Sequence, residues 1–217
     1  MNDTATGSWK LERDADAIAW LTIDKSGTSA NVLSSGVLGE LDGLLAALEK
    51  DLPRGAVVIS AKKSGFVAGA DIKEFTGITD AASGYALIRR GQQVLNRLAA
   101  LPCPSVAAIH GFALGGGLEL ALACRYRVAV ADERLSLGLP EVLLGIHPGF
   151  GGTVRSVRVA GVRAAMELML SGKPVRAEKA LRLGLIDRLV PEAELRRFMT
   201  CDLCQRGIWP DVVSAEP

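Results

Sequence analysis

The chain has 217 residues, 49% hydrophobic and 23% charged, enough to bury one sizeable core in a single domain. Its 25 Lys and Arg against 24 Asp and Glu leave a formal charge of +1, so no global field recruits nucleic acid or an anionic membrane, and any anion must be held locally. The first eight residues are polar and no apolar run approaches the roughly 20 residues that cross a bilayer; the expectation is a cytoplasmic protein without a membrane span.

Residues 1–8 are expected to be disordered. Trp9–Arg13 and Ile18–Ile23 flank Asp14-Ala15-Asp16 and predict a β-hairpin. Val37, Leu38, Leu41, Leu44, Leu45 and Leu48 recur at helical spacing, with Pro53 and Gly55 as a stop. The β-branched run Ala56-Val57-Val58-Ile59-Ser60 predicts a buried strand that delivers the chain into a loop at 64–71. Leu87, Val94, Leu95, Leu98 and Leu101 mark a second helix, ended by Pro102 and Pro104 before the strand Ser105–Ile109. Glycines at 111–117 then open a buried apolar helix over 118–123.

Short strands are expected at Tyr126–Val130 and 135–137, and helices at 154–170, 177–183 and 192–199. The closing residues 199–217, with two prolines and no periodicity, are expected to be a disordered tail. Four cysteines are too few for a disulfide scaffold. Cys103 and Cys124 lie in apolar surroundings that suit buried free thiols. Cys201 and Cys204 form a lone C-x-x-C with no second pair and with both histidines far upstream, so no metal site is predicted. No G-x-G-x-x-G follows a strand, so nothing here assigns NAD chemistry.

The chemistry-bearing features are two glycine-rich turns, Phe66-Val67-Ala68-Gly69-Ala70-Asp71 and Gly115-Gly116-Gly117-Leu118-Glu119, and the downstream carboxylate of Leu139-Pro140-Glu141. Glycines at a helix start let a ligand oxygen approach unpaired first-turn N–H groups, where the helix dipole favours negative charge. Gly116 and Ala70 are the candidate oxyanion donors, and Glu119, one turn beyond Gly116, is placed for proton transfer. The pattern fits proton chemistry beside a thioester carbonyl. Each feature also has a plainer explanation: the glycine triplet permits tight strand–helix packing, Glu141 could be an exposed or capping carboxylate, and Lys62, Lys63 and Lys73 could be solvated rather than phosphate-binding. A carboxylate inside an apolar helix is harder to explain away, because buried unpaired acids are rare.

Residues 66–74 (F-V-A-G-A-D-I-K-E), 111–119 (G-F-A-L-G-G-G-L-E) and 138–153 (G-L-P-E-V-L-L-G-I-H-P-G-F-G-G-T) resemble the crotonase, or enoyl-CoA hydratase/isomerase, family. The resemblance runs over about residues 9–190 and is closest to the N-terminal hydratase part of multifunctional fatty-acid oxidation α-subunits. It implies an α/β fold, the crotonase-like β-β-α spiral, over 9–198, with the family's C-terminal helical region truncated. It further implies an acyl-CoA or enoyl-CoA substrate with coenzyme A as part of it and no other cofactor, Ala70 and Gly116 as the oxyanion hole, and Glu119 and Glu141 as catalytic acids, Glu119 being the base. Ala68, Gly69, Asp71 and Ile72 match the family's adenine-side contacts and Ala30 with Val32 its pantetheine-side turn; Gly115 and Gly117 complete the substrate-binding set. A homo-oligomer or a fatty-acid oxidation complex is the implied assembly. The implied activity is enoyl-CoA hydration in β-oxidation, the alternatives being a Δ3-Δ2 enoyl-CoA isomerase and an idle acyl-CoA-binding module.

Overall fold

The computed structural model describes residues 4–199. A seven-stranded sheet has the order β1 (Thr4–Thr6), β2 (Trp9–Arg13), β3 (Ile18–Ile23), β4 (Gly55–Ser60), β5 (Ser105–Ile109), β7 (Tyr126–Val130) and β9 (Arg188–Val190), and a second sheet pairs β6 (Phe112–Leu114) with β8 (Ser136–Gly138). β1 to β3 run antiparallel and every later neighbour is parallel. The helices are α1 (Ser35–Lys50), α2 (Ala81–Ala99), α3 (Gly116–Ala123), α4 (Gly152–Ser171), α5 (Ala177–Arg182) and α6 (Glu192–Arg197), with 3-10 turns at Ile72–Gly77 and Pro140–Leu144.

The hairpin closes where expected. Asp14 Oδ1 accepts the N–H groups of Asp16 and Ile18, and its Oδ2 accepts from Trp20 Nε1 at 2.8 Å. Thr4–Thr6 departs from the expected disorder: the main chain of the β2 edge pairs with it, register Thr4 to Leu11, and backbone pairing needs no apolar side chain. Residues 1–3 and the tail beyond Met199, with Cys201 and Cys204, lie outside the described residues.

Alternation along the parallel strands builds two cores. Ala19, Leu21, Ile23, Val58, Ala107 and Ile109 face α1, α2 and α3, while Ile18, Trp20, Val57, Val106, Val128 and Val130 meet Leu195 of α6 and Phe198 on the other side. α1 buries all six apolar positions read from its spacing, each worth roughly 1.5–3 kcal/mol. Ser34 Oγ accepts from Val37 N–H at its start, and Glu74 accepts from both the N–H and the hydroxyl of Ser35. α4 covers the expected 154–170 but breaks at Gly161, whose φ of 77° is non-helical. Cys103 and Cys124 are free and buried.

Buried Asn31 ties the strand ends to the first glycine-rich loop. Its Nδ2 donates to the Ile23 carbonyl (3.1 Å) and to Ser60 Oγ (2.9 Å), and its Oδ1 accepts from Lys25 N–H (2.9 Å). Ser60 Oγ in turn donates to the Gly65 carbonyl (2.7 Å). Asn31→Ala strands several buried polar groups at once, so we expect a loss of about 2–4 kcal/mol in urea unfolding; a change under half a kcal/mol would remove this role.

Candidate functional site

The loop leaving β4 is held between two neighbours. On one side Ala68 N–H donates to Asn31 O, Leu33 N–H to Gly69 O and Asp71 N–H to Leu33 O, all within 2.9 Å. On the other, Phe66 N–H donates to Phe112 O and Leu114 N–H to Val67 O. Ala70 bridges Leu33 through its flanking peptides, so its own N–H is left for the opposite edge, where the second glycine turn lies. Gly115 adopts φ 51°, ψ −127°, and α3 begins at the next residue.

Contact here is backbone on backbone. A Cβ on Gly117 would collide with the Val67 carbonyl, and one on Gly116 would stand 3.1 Å from the Ala70 nitrogen. The Ala70 and Gly116 amides therefore sit side by side, and neither donates to an acceptor among the described residues. Both line one cleft together with Glu119 and Glu141.

Glu119 is 2% exposed. α3 carries it inward, and Gly152 N–H, at the start of α4, donates to its Oε1 at 2.7 Å. Burial pushes its pKa up to about 7; the Gly152 and Phe150 N–H groups and the nearby Arg155 oppose the rise, while the charge of Glu141 adds to it. Glu141, 9% exposed and so not the exposed carboxylate of the plainer reading, sits on the 3-10 turn that Pro140 opens. Its Oε1 lies 3.0 Å from where a Gly115 Cβ would stand, and its Oε2 accepts no hydrogen bond from the described residues. Burial raises its pKa too, against its own backbone N–H and the charge of His147.

Of the residues expected to bind substrate, Ala68, Gly69, Ile72 and Gly115 line the cleft with the donors and acids, whereas Ala30, Val32, Asp71 and Gly117 do not. Ala30 and Val32 flank Asn31 on the strand-like segment supporting the loop. Asp71 pairs with Lys25 at 3.0 Å, which holds its carboxyl below the usual range. Gly117 is a packing position. Lys62 pairs with Asp24 at 2.7 Å, Lys73 is exposed, and Lys63 lines a separate surface cleft with His110.

Several cleft residues were not singled out in the sequence: Phe75, Ile88, Leu144, Ile146, His147 and Phe150. Phe150 is buried with its ring on Gly116 and on Gly91 of α2, where a Cβ would overlap it. A glycine inside an otherwise helical run was the available signal for that contact. Among the described residues no group of His, Cys, Asp and Glu could hold a metal ion, and no helix is long and apolar enough to cross a membrane.

Residues 13–206 match the family model of enoyl-CoA hydratase/isomerase. The fatty acid oxidation complex subunit alpha of Vibrio cholerae serotype O1 is 44% identical over 190 residues, 87% of this chain and 27% of that protein. The subunit from Shewanella baltica is 46% identical over 189 residues, with the same coverage. The chain thus spans about 27% of the length of these relatives, in which it matches the N-terminal region. An enoyl-CoA hydratase structure from Bacillus anthracis is 34% identical with a TM-score of 0.81, covering 88% of this chain and 73% of that one. One from Thermoplasma volcanium is 29% identical with a TM-score of 0.84, covering 93% and 79%. The spiral expected from the motifs is the observed fold, and by family match, relatives and architecture together the chain belongs to the enoyl-CoA hydratase/isomerase family.

Proposed function

We propose that the chain is an enoyl-CoA hydratase of fatty-acid β-oxidation, adding water reversibly across the trans-2 double bond of an enoyl-CoA thioester. The observation that carries this reading is the convergence of two unengaged main-chain amides and two buried carboxylates on one cleft. In the reaction the thioester oxygen sits between the Ala70 and Gly116 N–H groups. Glu119, fixed by Gly152, takes a proton from water as its oxygen attacks Cβ. Negative charge passes to the thioester oxygen as the enolate forms, and Glu141 delivers its proton to Cα. The amides stabilise charge that develops only in the transition state, and one such donor is worth ~100 to 1,000 in rate.

Coenzyme A enters as part of the substrate, and the scheme uses no other cofactor. The names of the relatives support a place in fatty-acid oxidation, within a complex or as an oligomer. Isomerisation of a 3-enoyl thioester needs only one shuttling carboxylate, and the hydrogen-bonded Glu119 favours it as a second activity of the same site.

With crotonyl-CoA, loss of the conjugated enoyl absorbance should report turnover, and Glu119→Gln and Glu141→Gln should each lower kcat by about 100- to 10,000-fold. Absence of turnover by folded wild-type protein would overturn the reading. Retention of Δ3-Δ2 isomerisation by Glu141→Gln would separate the two activities.

The protonation of Glu119 gives a second expectation. As the base it must be ionised, so kcat/KM should fall tenfold per unit below a midpoint near 7. A carboxyl whose folded pKa is raised makes its stabilising contribution below its unfolded pKa of 4.5 and loses it as pH climbs through about 7. Glu119→Gln should therefore be more stable than wild type at pH 8, by about 1–3 kcal/mol, with the gap closing toward pH 4.5. Equal unfolding midpoints at both pH values would show that Glu119 is not strained by burial.

A further inference from the structure

Glu119 is aimed by a turn rather than by a regular element. Gly152, which opens α4, gives its N–H to Glu119 Oε1 at 2.7 Å, but it follows residues 146–151, which form neither helix nor strand and reverse at Gly151 with φ 102°. Arg155 holds both peptides that flank the reversal. Its main-chain N–H donates to the Gly151 carbonyl at 2.9 Å and its Nη1 to the Phe150 carbonyl at 2.7 Å. The C=O and N–H of a trans peptide point opposite ways, so fixing the Gly151 carbonyl toward α4 aims the Gly152 N–H at Glu119.

The anchor is on α2. Arg155 Nη2 donates to Asn96 Oδ1 at 2.6 Å, and Gln92, one turn earlier, donates from Nε2 to the Gly149 carbonyl at 2.8 Å. On the same face of α2, Ile88 stands 3.1 Å from where a Gly149 Cβ would be, and Gly91 leaves room for the Phe150 ring. That ring lies against Gly116, 3.3 Å from where a Cβ there would stand, so the segment that aims the base also borders one of the two oxyanion donors. A Cβ at Gly151 would overlap Arg155 Nη1: the guanidinium fills the space that the glycine leaves.

We propose that Arg155 is a positioning residue for Glu119: anchored on Asn96 of α2, it locks the turn at 150–152 so that the Gly152 N–H stays on the Glu119 carboxylate. The kinetic consequence rests on the hydratase reading, but the lock beneath it does not. Arg155 does not line the cleft and acts through the turn. The amides of the turn and the charge of Arg155 both oppose the rise that burial imposes on the Glu119 pKa, so loss of the lock moves that pKa further up. The other charged or titratable groups around Glu119 are Glu141 and His147 of the cleft and Arg158, which bears on Arg155; Gln92 and Asn96 of α2 do not titrate.

Two NMR readouts on the ligand-free chain test the lock: hydrogen exchange of the Gly152 amide, and the titration of the 13C-labelled Glu119 carboxylate, whose resonance is the one lost in Glu119→Gln. In Arg155→Met we expect Gly152 exchange to speed up by about tenfold or more and the Glu119 midpoint to rise on the order of half a pH unit. With crotonyl-CoA, kcat should fall by about 10- to 100-fold while KM changes less than about threefold, and the acid limb of the pH profile should move up with the NMR midpoint. Asn96→Ala keeps the guanidinium charge and removes only its anchor, so both NMR readouts should move the same way by a smaller amount. Arg155→Lys, which keeps the charge but cannot reach both acceptors, should restore only part of kcat. A raised midpoint in Arg155→Met with Gly152 exchange unchanged would leave a charge effect alone and overturn the proposal. Unchanged Gly152 exchange in Asn96→Ala overturns it even if Arg155→Met fails to fold. Moved exchange and midpoint without turnover in the wild type would sustain the lock while removing the hydratase reading.

Discussion

Everything at the site depends on two stretches of main chain lying against each other with no side chain between them. The turn at residues 115–117 packs on the loop at 67–70 so closely that a Cβ at Gly117 would meet the Val67 carbonyl and one at Gly116 would crowd the Ala70 nitrogen. That approach puts two amides from different parts of the chain beside each other. It also starts α3 at Gly116, and the helix then directs Glu119 into the protein. A donor pair, a helix origin and a carboxylate direction all follow from one steric condition, met by residues that lack side chains.

Keeping such amides unengaged demands that the rest of the loop be held firmly, because a buried N–H otherwise finds an internal acceptor. The surrounding hydrogen bonds supply the hold. Residues 31–33 take one edge of the loop, β6 takes the other, and Asn31 with Ser60 fastens both to the ends of β3 and β4. The acids are unfavourable in the same sense, since burial lifts both pKa values and the charge of Glu141 adds to the rise at Glu119. A site with such unfavourable groups is anchored to the ends of parallel strands.

The α1 stripe, the β-branched run of β4 and the proline stops were legible because each is a local pattern that tertiary structure merely completes. Glu119 could be read for the same reason: its direction follows from helix geometry once Gly116 starts the helix. β6 and β9 escaped because three residues carry no periodicity and their pairing partners are distant, β8 and β7 respectively. β1 escaped because the β2 edge that orders it is backbone, which composition does not describe. The 3-10 setting of Glu141 depends on the reversal at Gly145, and the burial of Phe150 depends on Gly91, fifty-nine residues away in sequence. Gly117 backs onto the Val67 carbonyl, a contact between distant residues that no local pattern records.

The two carboxylates differ in how firmly their surroundings are set. Glu119 is held by a helix amide and faces an arginine whose two hydrogen bonds reach different elements, so its environment changes little with pH because arginine stays charged. Glu141 stands on a single 3-10 turn closed by the Gly145 and Ile146 N–H groups, with an oxygen lacking any described donor. Two acids in one apolar cleft cannot easily ionise together. The pair is therefore unequal: Glu119 is the acid whose carboxylate a scaffold amide holds, and Glu141 is the one whose Oε2 has no donor among the described residues.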